Sequence, residues 1–498
     1  MDGRGTSEVG TGLARKAAAN AASLGASQLG RILLTFASAV VIARLLSPDE
    51  YGVVAMAAPV IGFVGMFQEL GLGAAAIQSK TLSAQESSSL FWINIVASSI
   101  VAAALLALAP LAALFYHDVR AGYVTAAGAV GAIISAFAIQ HATLLNRDMR
   151  FAMIGVIEFA NALVSFVVAA LLAVWLRSYW ALILGSIAGT LLQTVLTWRS
   201  ARWHPNLRPS FSGGRRFLRF GGNVTGYNVV NFALRNADNI MIGKVAGSVQ
   251  LGLYDRSYKL MMMPLQSLSG PMYRLLMPLL SHMQDDPDRY RRTFVFAVRS
   301  LGLVAIPGIA IAVALSNRLM PFVLGDRWAA AGPIFFWLGL AGLFNPIANL
   351  AGVLFVTTAR TAAYFRWGLF SAVVTLVGFM VGIFWGAEGV AASLFATTVI
   401  RTPLLFAYSV GNTGVTSIDL YRAQFEPMIA SAFGVAVTLA LAPYFSTGPL
   451  LVLGLVIVYL VAGISAWATP AGRETVLRLA QMFRGFAGDA VAHVQASR

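Results

Sequence analysis

Charged and polar side chains recur at helical spacing inside long apolar stretches of this sequence. In the first stretch they form one helix face made of Asn20, Ser23, Ser27, Arg31, Thr35 and Ser38. The seventh stretch carries such a face made of Asn228, Asn231, Arg235 and Asp238. The eighth carries Asp255, Lys259, Gln266, Ser269 and Tyr273, with Arg256 and Arg274 close by. Ionisable residues are costly inside a membrane and usually face a cavity or a partner.

Cations outnumber acids on these faces, so a shared hydrated cavity would be cationic. Arginine and lysine both bind phosphate, which suits a phosphate or an acidic sugar as the ligand. The expected substrate-binding residues are Arg31, Arg235, Arg256, Lys259 and Arg274. The alternative is that Arg235 with Asp238 and Asp255 with Lys259 form internal ion pairs at spacings of three and four. Arg31 has no acid nearby in its own stretch and is therefore the strongest candidate.

Carboxylates in the same stretches are candidates for ion coupling. A carboxylate in a low-dielectric environment can carry a proton through a transport cycle. The candidates are Asp238, Asp255, Glu69 and Glu158, and structural pairing with a cavity arginine is the alternative role. Two further cations, Arg299 and Arg401, also fall inside apolar stretches.

The composition indicates the elements that must position these residues. Of the 498 residues 58% are hydrophobic and only 11% are charged, whereas soluble domains average about 25% charged residues. The apolar runs last roughly 20 residues, which fits membrane-spanning helices and not barrel strands. We therefore predict an all-α polytopic membrane protein with about 14 transmembrane helices.

The spans and loops divide the chain into a series of predicted parts. The parts are a cytoplasmic N-terminal segment (1–18), an N-terminal six-helix lobe (19–200), a basic cytoplasmic linker (201–218), a C-terminal six-helix lobe (219–411), two additional helices (424–468) and a cytoplasmic amphipathic tail (470–498). Alternate loops are rich in arginine, and both ends match this basic set. The positive-inside rule then places both termini in the cytoplasm. The net charge of +15 is explained by these loops, so a nucleic-acid partner is not expected.

Two short motifs repeat at a distance of six spans. The first stretch and the seventh align without gaps, and the aligned pairs are Ile42 with Ile242, Arg44 with Lys244 and Gly52 with Gly252. A weaker similarity pairs Pro110–Asp118 with Arg318–Asp326. Both copies run in the same direction through the membrane. A parallel repeat of this kind places the substrate at the interface between the halves.

The same motifs carry a family resemblance. Ala43–Gly52 followed by Glu69–Gln78, and Arg235–Lys244 running into Leu253–Leu260, resemble polysaccharide transporters of the Wzx flippase type, in the subgroup of the colanic-acid exporter. The resemblance implies the fold of the multidrug/oligosaccharidyl-lipid/polysaccharide exporter superfamily. That fold has two parallel-repeat six-helix bundles around a central cavity and two extra C-terminal helices.

The resemblance also implies a function in exopolysaccharide or lipopolysaccharide biosynthesis. The implied activity is to flip undecaprenyl-diphosphate-linked oligosaccharide repeat units from the cytoplasmic to the periplasmic leaflet of the bacterial inner membrane by alternating access. The implied partners are this lipid-linked oligosaccharide, membrane lipids and, as a further candidate, the polysaccharide polymerase and export machinery. No cofactor and no metal are implied.

Three alternatives belong to other functional classes. A peptidoglycan-precursor flippase would also need a cationic cavity, whereas a multidrug/cation antiporter would need an acidic one. A membrane enzyme of polysaccharide synthesis is the third, but the Asp-x-Asp motif at Asp286–Asp288 lies in a short basic loop. The missing phosphate-binding Gly-x-x-x-x-Gly-Lys-[Ser/Thr] loop excludes an ATP-driven pump, and the absence of cysteine excludes a thiol nucleophile. The long periplasmic loop that membrane-embedded enzymes of this pathway usually need is also not found in the sequence. We therefore expect a transporter and not an enzyme.

Overall fold

A computed structural model shows helices and no strand among the residues it describes, as the predicted all-α fold requires. It describes residues 30, 32–69, 72–79, 81–206, 232, 235–411, 413–470, 472–479 and 481. Within these residues, 10 helical stretches are long and apolar enough to cross a membrane. The described residues divide into two compact units, and the division falls between Gly252 and Leu253. The predicted lobe boundaries stay a prediction.

In the part of the first unit that the structure describes, seven helices are complete. They are α1 (Ile32–Leu45), α2 (Pro48–Glu69), α3 (Leu72–Gln78), α4 (Ala84–Tyr116), α5 (Val119–Arg147), α6 (Phe151–Leu176) and α7 (Trp180–Ala201). Ser83 caps the start of α4, and its hydroxyl accepts from the Glu86 N–H in a capping box. Asp118 caps the start of α5 by accepting from the Arg120 N–H. These caps set where the spans begin.

Small residues bring the helices of the first unit into close contact. The helix α4 packs against α5, α6 packs against α7, and α2 lies against α4 and α5. A Cβ on Gly122 of α5 would lie 2.8 Å from the carbonyl oxygen of Ala109. Such close backbone approach is the usual packing mode of membrane helices. Large apolar side chains of α6 instead face outward, among them Trp175, which is 85% exposed.

The helix α8 (Ala237–Ser281) contains the division between the units. Its path is broken at Gly247, where φ is 81° and ψ is −178°. A residue with a Cβ rarely adopts this backbone conformation. Beyond the break, α8 contains Pro264, Pro271 and Pro278, each of which removes one backbone hydrogen bond. The Asp255 region therefore lies between the break and the first of these prolines.

Among the described residues, the second unit contains eight further α-helices, apart from the helical residues 472–479. They are α9 (Pro287–Ala314), α10 (Ser316–Leu324), α11 (Ala331–Gly342), α12 (Asn345–Thr357), α13 (Thr361–Gly382), α14 (Gly386–Val410), α15 (Ser417–Leu441) and α16 (Thr447–Ala468). The helix α9 packs against α15 and α16, and α14 packs against α11, α12 and α13. Phe294, Phe355 and Phe406 are fully buried in the core of this unit.

Candidate functional site

The predicted substrate-binding and ion-coupling residues differ in burial and in their contacts. Arg31 lies outside the described residues, and so does the side chain of Glu69. In the first unit, Asp238 is 8% exposed and its carboxylate accepts from the Asn239 N–H at 2.8 Å. Arg235 is exposed near the start of α8, and Glu158 is half-buried in α6. In the second unit, Arg274 is exposed on α8.

Three of the predicted residues come together at Asp255. Its carboxylate is buried and bonds to the Lys259 Nζ at 2.8 Å and to an Arg256 guanidinium nitrogen at 3.1 Å. The ion pair that the spacing of four suggested is therefore present. Two cations share one acid, so the cluster has a net charge of +1, and the Lys259 side chain remains 58% exposed. The pairing fixes the two cations and leaves Lys259 accessible to an anion.

A polar cavity of about 320 Å³ lies within the second unit, between α12, α13 and α14. Its polar and aromatic lining consists of Asn345, Asn349, Tyr364, Trp367, Ser371, Thr398, Arg401 and Thr402. We call this the Arg401 pocket. Ser371 stands about 15 Å from either end of α13 at 1.5 Å per residue. The pocket is therefore deep within its spans.

Arg401 is held in this pocket by neutral groups only. Its Nε donates to the Thr397 carbonyl oxygen at 3.1 Å, and a terminal nitrogen donates to the Thr398 hydroxyl at 3.3 Å. The other terminal nitrogen donates to the carbonyl and hydroxyl oxygens of Ser371. Within the described part of the chain, no carboxylate pairs with this guanidinium. Arg401 is only half-buried, but a charge within a membrane span is costly without a counter-ion, so an anionic ligand would be attracted here.

The remaining lining can bind a hydroxylated ligand. The amides of Asn345 and Asn349 offer both donors and acceptors. Trp367 and Tyr364 present aromatic rings, against which the C–H groups of a sugar ring can pack. Apolar walls with a few convergent polar groups are typical of small-molecule sites. The pocket can therefore hold an acidic or phosphorylated sugar.

A second charged network lies in the first unit, where α2 and α5 begin. Arg120 makes a bidentate pair with Asp49, at 2.6 and 3.0 Å, and contacts Asp118 at 2.8 Å. The Ser248 hydroxyl also donates to Asp49. Glu50 accepts from the Tyr179 N–H. Every acid in this network has a donor, so we interpret it as structural.

Two segments that contribute Asp49 and Ser248 to this network also touch through their backbones. A Cβ on Gly52 would overlap the carbonyl oxygen of Ser248, and a Cβ on Gly252 would overlap that of Pro48. We call the segments Pro48–Gly52 and Ser248–Gly252 the glycine crossing. The contact is reciprocal, because these are equivalent positions of the sequence repeat. Glycine is required at both places by the close approach.

Sequence reasoning missed most of the Arg401 pocket. It noted Arg401 as a cation inside a span but did not select it, and it did not consider Asn345, Asn349 or Trp367. The signal that favoured Arg31, a cation with no acid nearby in its own span, applies equally to Arg401. The asparagines and the tryptophan carry no such signal, because their role depends on which helices pack together.

Comparison with known proteins gives a consistent set of similarities. The family described as "Polysaccharide biosynthesis protein" matches residues 41–333. The lipopolysaccharide biosynthesis protein WzxC of Escherichia coli (strain K12) is 23% identical over 74% of this chain and 75% of its own length. The succinoglycan biosynthesis transport protein ExoT of Rhizobium meliloti (strain 1021) is 24% identical over 81% and 82%. The lipid II flippase MurJ, inward closed conformation, shares the fold, with a TM-score of 0.72 at 12% identity over 89% of this chain and 98% of its own.

Proposed function

The chain belongs to the polysaccharide biosynthesis protein family, and we propose that it flips lipid-linked oligosaccharides across the bacterial inner membrane. The cargo in this proposal is an undecaprenyl-diphosphate-linked repeat unit of an exopolysaccharide or lipopolysaccharide. It moves from the cytoplasmic to the periplasmic leaflet by alternating access through a cationic cavity. Both termini are cytoplasmic in this proposal, because the basic loops lie on their side of the membrane.

The observation that carries the proposal is the Arg401 pocket. It combines a half-buried arginine, which has no carboxylate partner among the described residues, with two asparagine amides and a tryptophan ring, deep within spanning helices. A protein that only anchors or assembles in a membrane has no need for such a costly cation. A carrier of anionic glycans needs it, since the cation stabilises the charge of the cargo in a low-dielectric environment.

The Asp255 cluster supports the same proposal from α8. Its net positive charge and its exposed Lys259 suit the diphosphate of the cargo. In this proposal Arg31, Arg235, Arg256, Lys259 and Arg274 remain the residues that bind the lipid-linked end. Asp238, Asp255, Glu69 and Glu158 remain the candidates for ion coupling. The names of the relatives WzxC and ExoT, which refer to lipopolysaccharide biosynthesis and succinoglycan transport, agree with a glycan cargo.

The positive charge of the Arg401 pocket distinguishes the proposed function from two of the three alternatives. A multidrug/cation antiporter would bind a cation, which Arg401 would repel. A membrane enzyme would need a nucleophile or a general base beside its substrate, whereas the Arg401 pocket is lined by no carboxylate or histidine among the described residues. A peptidoglycan-precursor flippase would share the cationic requirement, and the glycan of the cargo distinguishes it.

The test compares a strain that lacks the chain with the same strain carrying it on a plasmid. Lipid-linked oligosaccharides are extracted, and a glycosidase is added to the periplasmic side of spheroplasts. We expect complete repeat units to accumulate in the deletion strain in a form that the glycosidase cannot reach, and the plasmid to restore access. Absence of any repeat unit would instead assign a synthetic role. Normal access in the deletion strain would contradict the proposal.

A further inference from the structure

An arginine-rich pocket lies in the second unit, away from the residues that line the Arg401 pocket. It has a volume of about 640 Å³ and opens between the beginnings of α9 and α15 and the helical residues 472–479. Six arginines line it, which are Arg289, Arg291, Arg292, Arg299, Arg422 and Arg478. Three acids, Asp288, Asp419 and Glu474, also line it. The lining therefore has a net charge of +3, from six cations and three anions.

Two of the three acids are already paired. Asp419 binds the Arg291 guanidinium through both oxygens, at 2.9 and 3.0 Å, and also accepts from the Thr416 N–H at 2.9 Å to cap α15. Glu474 pairs with Arg478 at 2.5 Å. By contrast, the guanidinium groups of Arg289, Arg292 and Arg422 form no ion pair with a described carboxylate. Asp288 is the third lining acid, and Glu426 contacts Arg299 at 3.9 Å, so six cations and four anions leave a net charge of +2 for a ligand.

Arg299 provides a second, independent indication of a ligand. Its side chain is only 10% exposed, and its contact with Glu426 is long, at 3.9 Å. The Nε of Arg299 is buried without a hydrogen-bond partner among the described residues. Buried donors are rarely left unsatisfied in folded proteins. An oxygen atom of a bound anion would satisfy this donor.

The chemistry of the pocket selects a phosphate group carried by a membrane lipid. Arginine binds phosphate in a bidentate manner. The pocket lies where two helices of span length begin, and the ends of spanning helices are expected near the lipid head groups. Basic pockets between helices at the cytoplasmic surface bind anionic head groups. Arg478 also lies over the Phe296 ring, 5.5 Å from its centre, which gives the pocket an apolar wall. We propose that the arginine-rich pocket binds the phosphate group of a lipid in the cytoplasmic leaflet.

Two lipids carry this chemistry, and they give different results in a binding test. A resident anionic phospholipid such as phosphatidylglycerol would bind whatever the cargo of the protein is. A polyprenyl diphosphate would bind only as part of the transported molecule, and that source rests on the proposed function. The location of the pocket on the cytoplasmic side rests on the proposed orientation. The binding of either lipid can be measured without an export assay.

The experiment measures lipid binding to the purified full-length chain in phosphatidylcholine nanodiscs. Phosphatidylglycerol or undecaprenyl diphosphate is titrated in, and bound lipid is counted by native mass spectrometry. The test variant is Arg289→Gln/Arg422→Gln. The matched control is Arg327→Gln/Arg366→Gln, which removes the same charge from two exposed arginines outside the pocket. Thermal midpoints in pure phosphatidylcholine check that both variants fold.

At about 1 kcal/mol per basic residue near the membrane surface, losing two arginines should weaken binding by about thirtyfold. We expect this loss for the test variant with at least one of the two lipids, and little change for the control. Loss with phosphatidylglycerol assigns a resident phospholipid, and loss with undecaprenyl diphosphate alone assigns the cargo. Equal binding of both lipids by the test variant and the wild type would overturn the proposal.

Discussion

Arg120 and Arg401 are both arginines of membrane-spanning helices, but among the described residues only Arg120 has carboxylates that neutralise its charge. Arg120 is surrounded by the carboxylates of Asp49 and Asp118. Arg401 is surrounded by hydroxyl and carbonyl oxygens and stands beside a cavity. A cation that already has its anions holds the fold together, whereas a cation without them can attract a ligand. The difference separates a structural region from a binding region.

The two regions also differ in how tightly they are packed. The Arg120 network adjoins the glycine crossing, where backbones touch directly and no Cβ fits. The Arg401 pocket leaves about 320 Å³ between its three helices. Substitutions in the first region should therefore reduce the amount of folded protein. Substitutions in the second should reduce transport while the protein stays folded.

The largest effect is expected for Gly52→Ala at the glycine crossing. The new Cβ would overlap the Ser248 carbonyl oxygen, so two helix backbones would have to move apart. We expect loss of most folded protein, measured by fluorescence-detected size exclusion of the detergent-solubilised chain. The control is Gly65→Ala on the same helix, where a Cβ meets nothing within 4 Å and helix propensity improves by up to about 1 kcal/mol. Equal yields of the two variants would show that the crossing is not tightly packed.

A smaller loss of stability is expected for Arg120→Gln. The substitution leaves Asp49 and Asp118 close together without their cation, and because the Arg120 side chain is 36% exposed the cost should be about 2 kcal/mol. The measurement is the thermal midpoint in detergent. Adding Asp49→Asn removes one of the two like charges and should recover part of the loss. If Arg120→Gln is as stable as the wild type, the network is not structural.

The smallest effect is expected at the Asp255 cluster, which is intermediate between the two regions. Lys259→Met removes the exposed cation and leaves the Arg256 pair in place, so it should cost less than about 1 kcal/mol. Asp255→Asn leaves two cations without their acid and should cost more. Thermal midpoints of the two variants give the order. A larger cost for Lys259→Met would mean that Lys259 is the structural partner.

Much of the fold could be predicted from the sequence because it depends on local composition. The apolar runs of the sequence predict spans at 89–116, 120–146 and 151–176, and these spans match α4, α5 and α6 to within a few residues. An apolar run also predicts a span at 328–358, and it matches the candidate span Ala331–Thr357, which holds the two helices α11 and α12. Pro346, near the start of α12, lacks the backbone donor that an unbroken helix needs at that position.

The site could be predicted only where its contacts lie within one helix. The pairing of Asp255 with Lys259 follows from a spacing of four, and it is present. The contacts of Arg120 with Asp49 and of Arg401 with Ser371 join residues 71 and 30 positions apart. These contacts depend on helix packing, which the polarity of a single helix does not determine. The sequence therefore identified the charged residues but not which of them are neutralised.

The most direct test of the binding role of Arg401 uses purified protein in liposomes that contain a lipid-linked oligosaccharide. The rate at which the glycan becomes accessible to an external glycosidase is measured for the wild type, Arg401→Gln and the control Arg327→Gln, at equal amounts of folded protein. We predict that Arg401→Gln is at least about tenfold slower, which corresponds to about 1.4 kcal/mol, and that the control matches the wild type. Transport by Arg401→Gln at the wild-type rate would contradict the assignment of this pocket to the cargo.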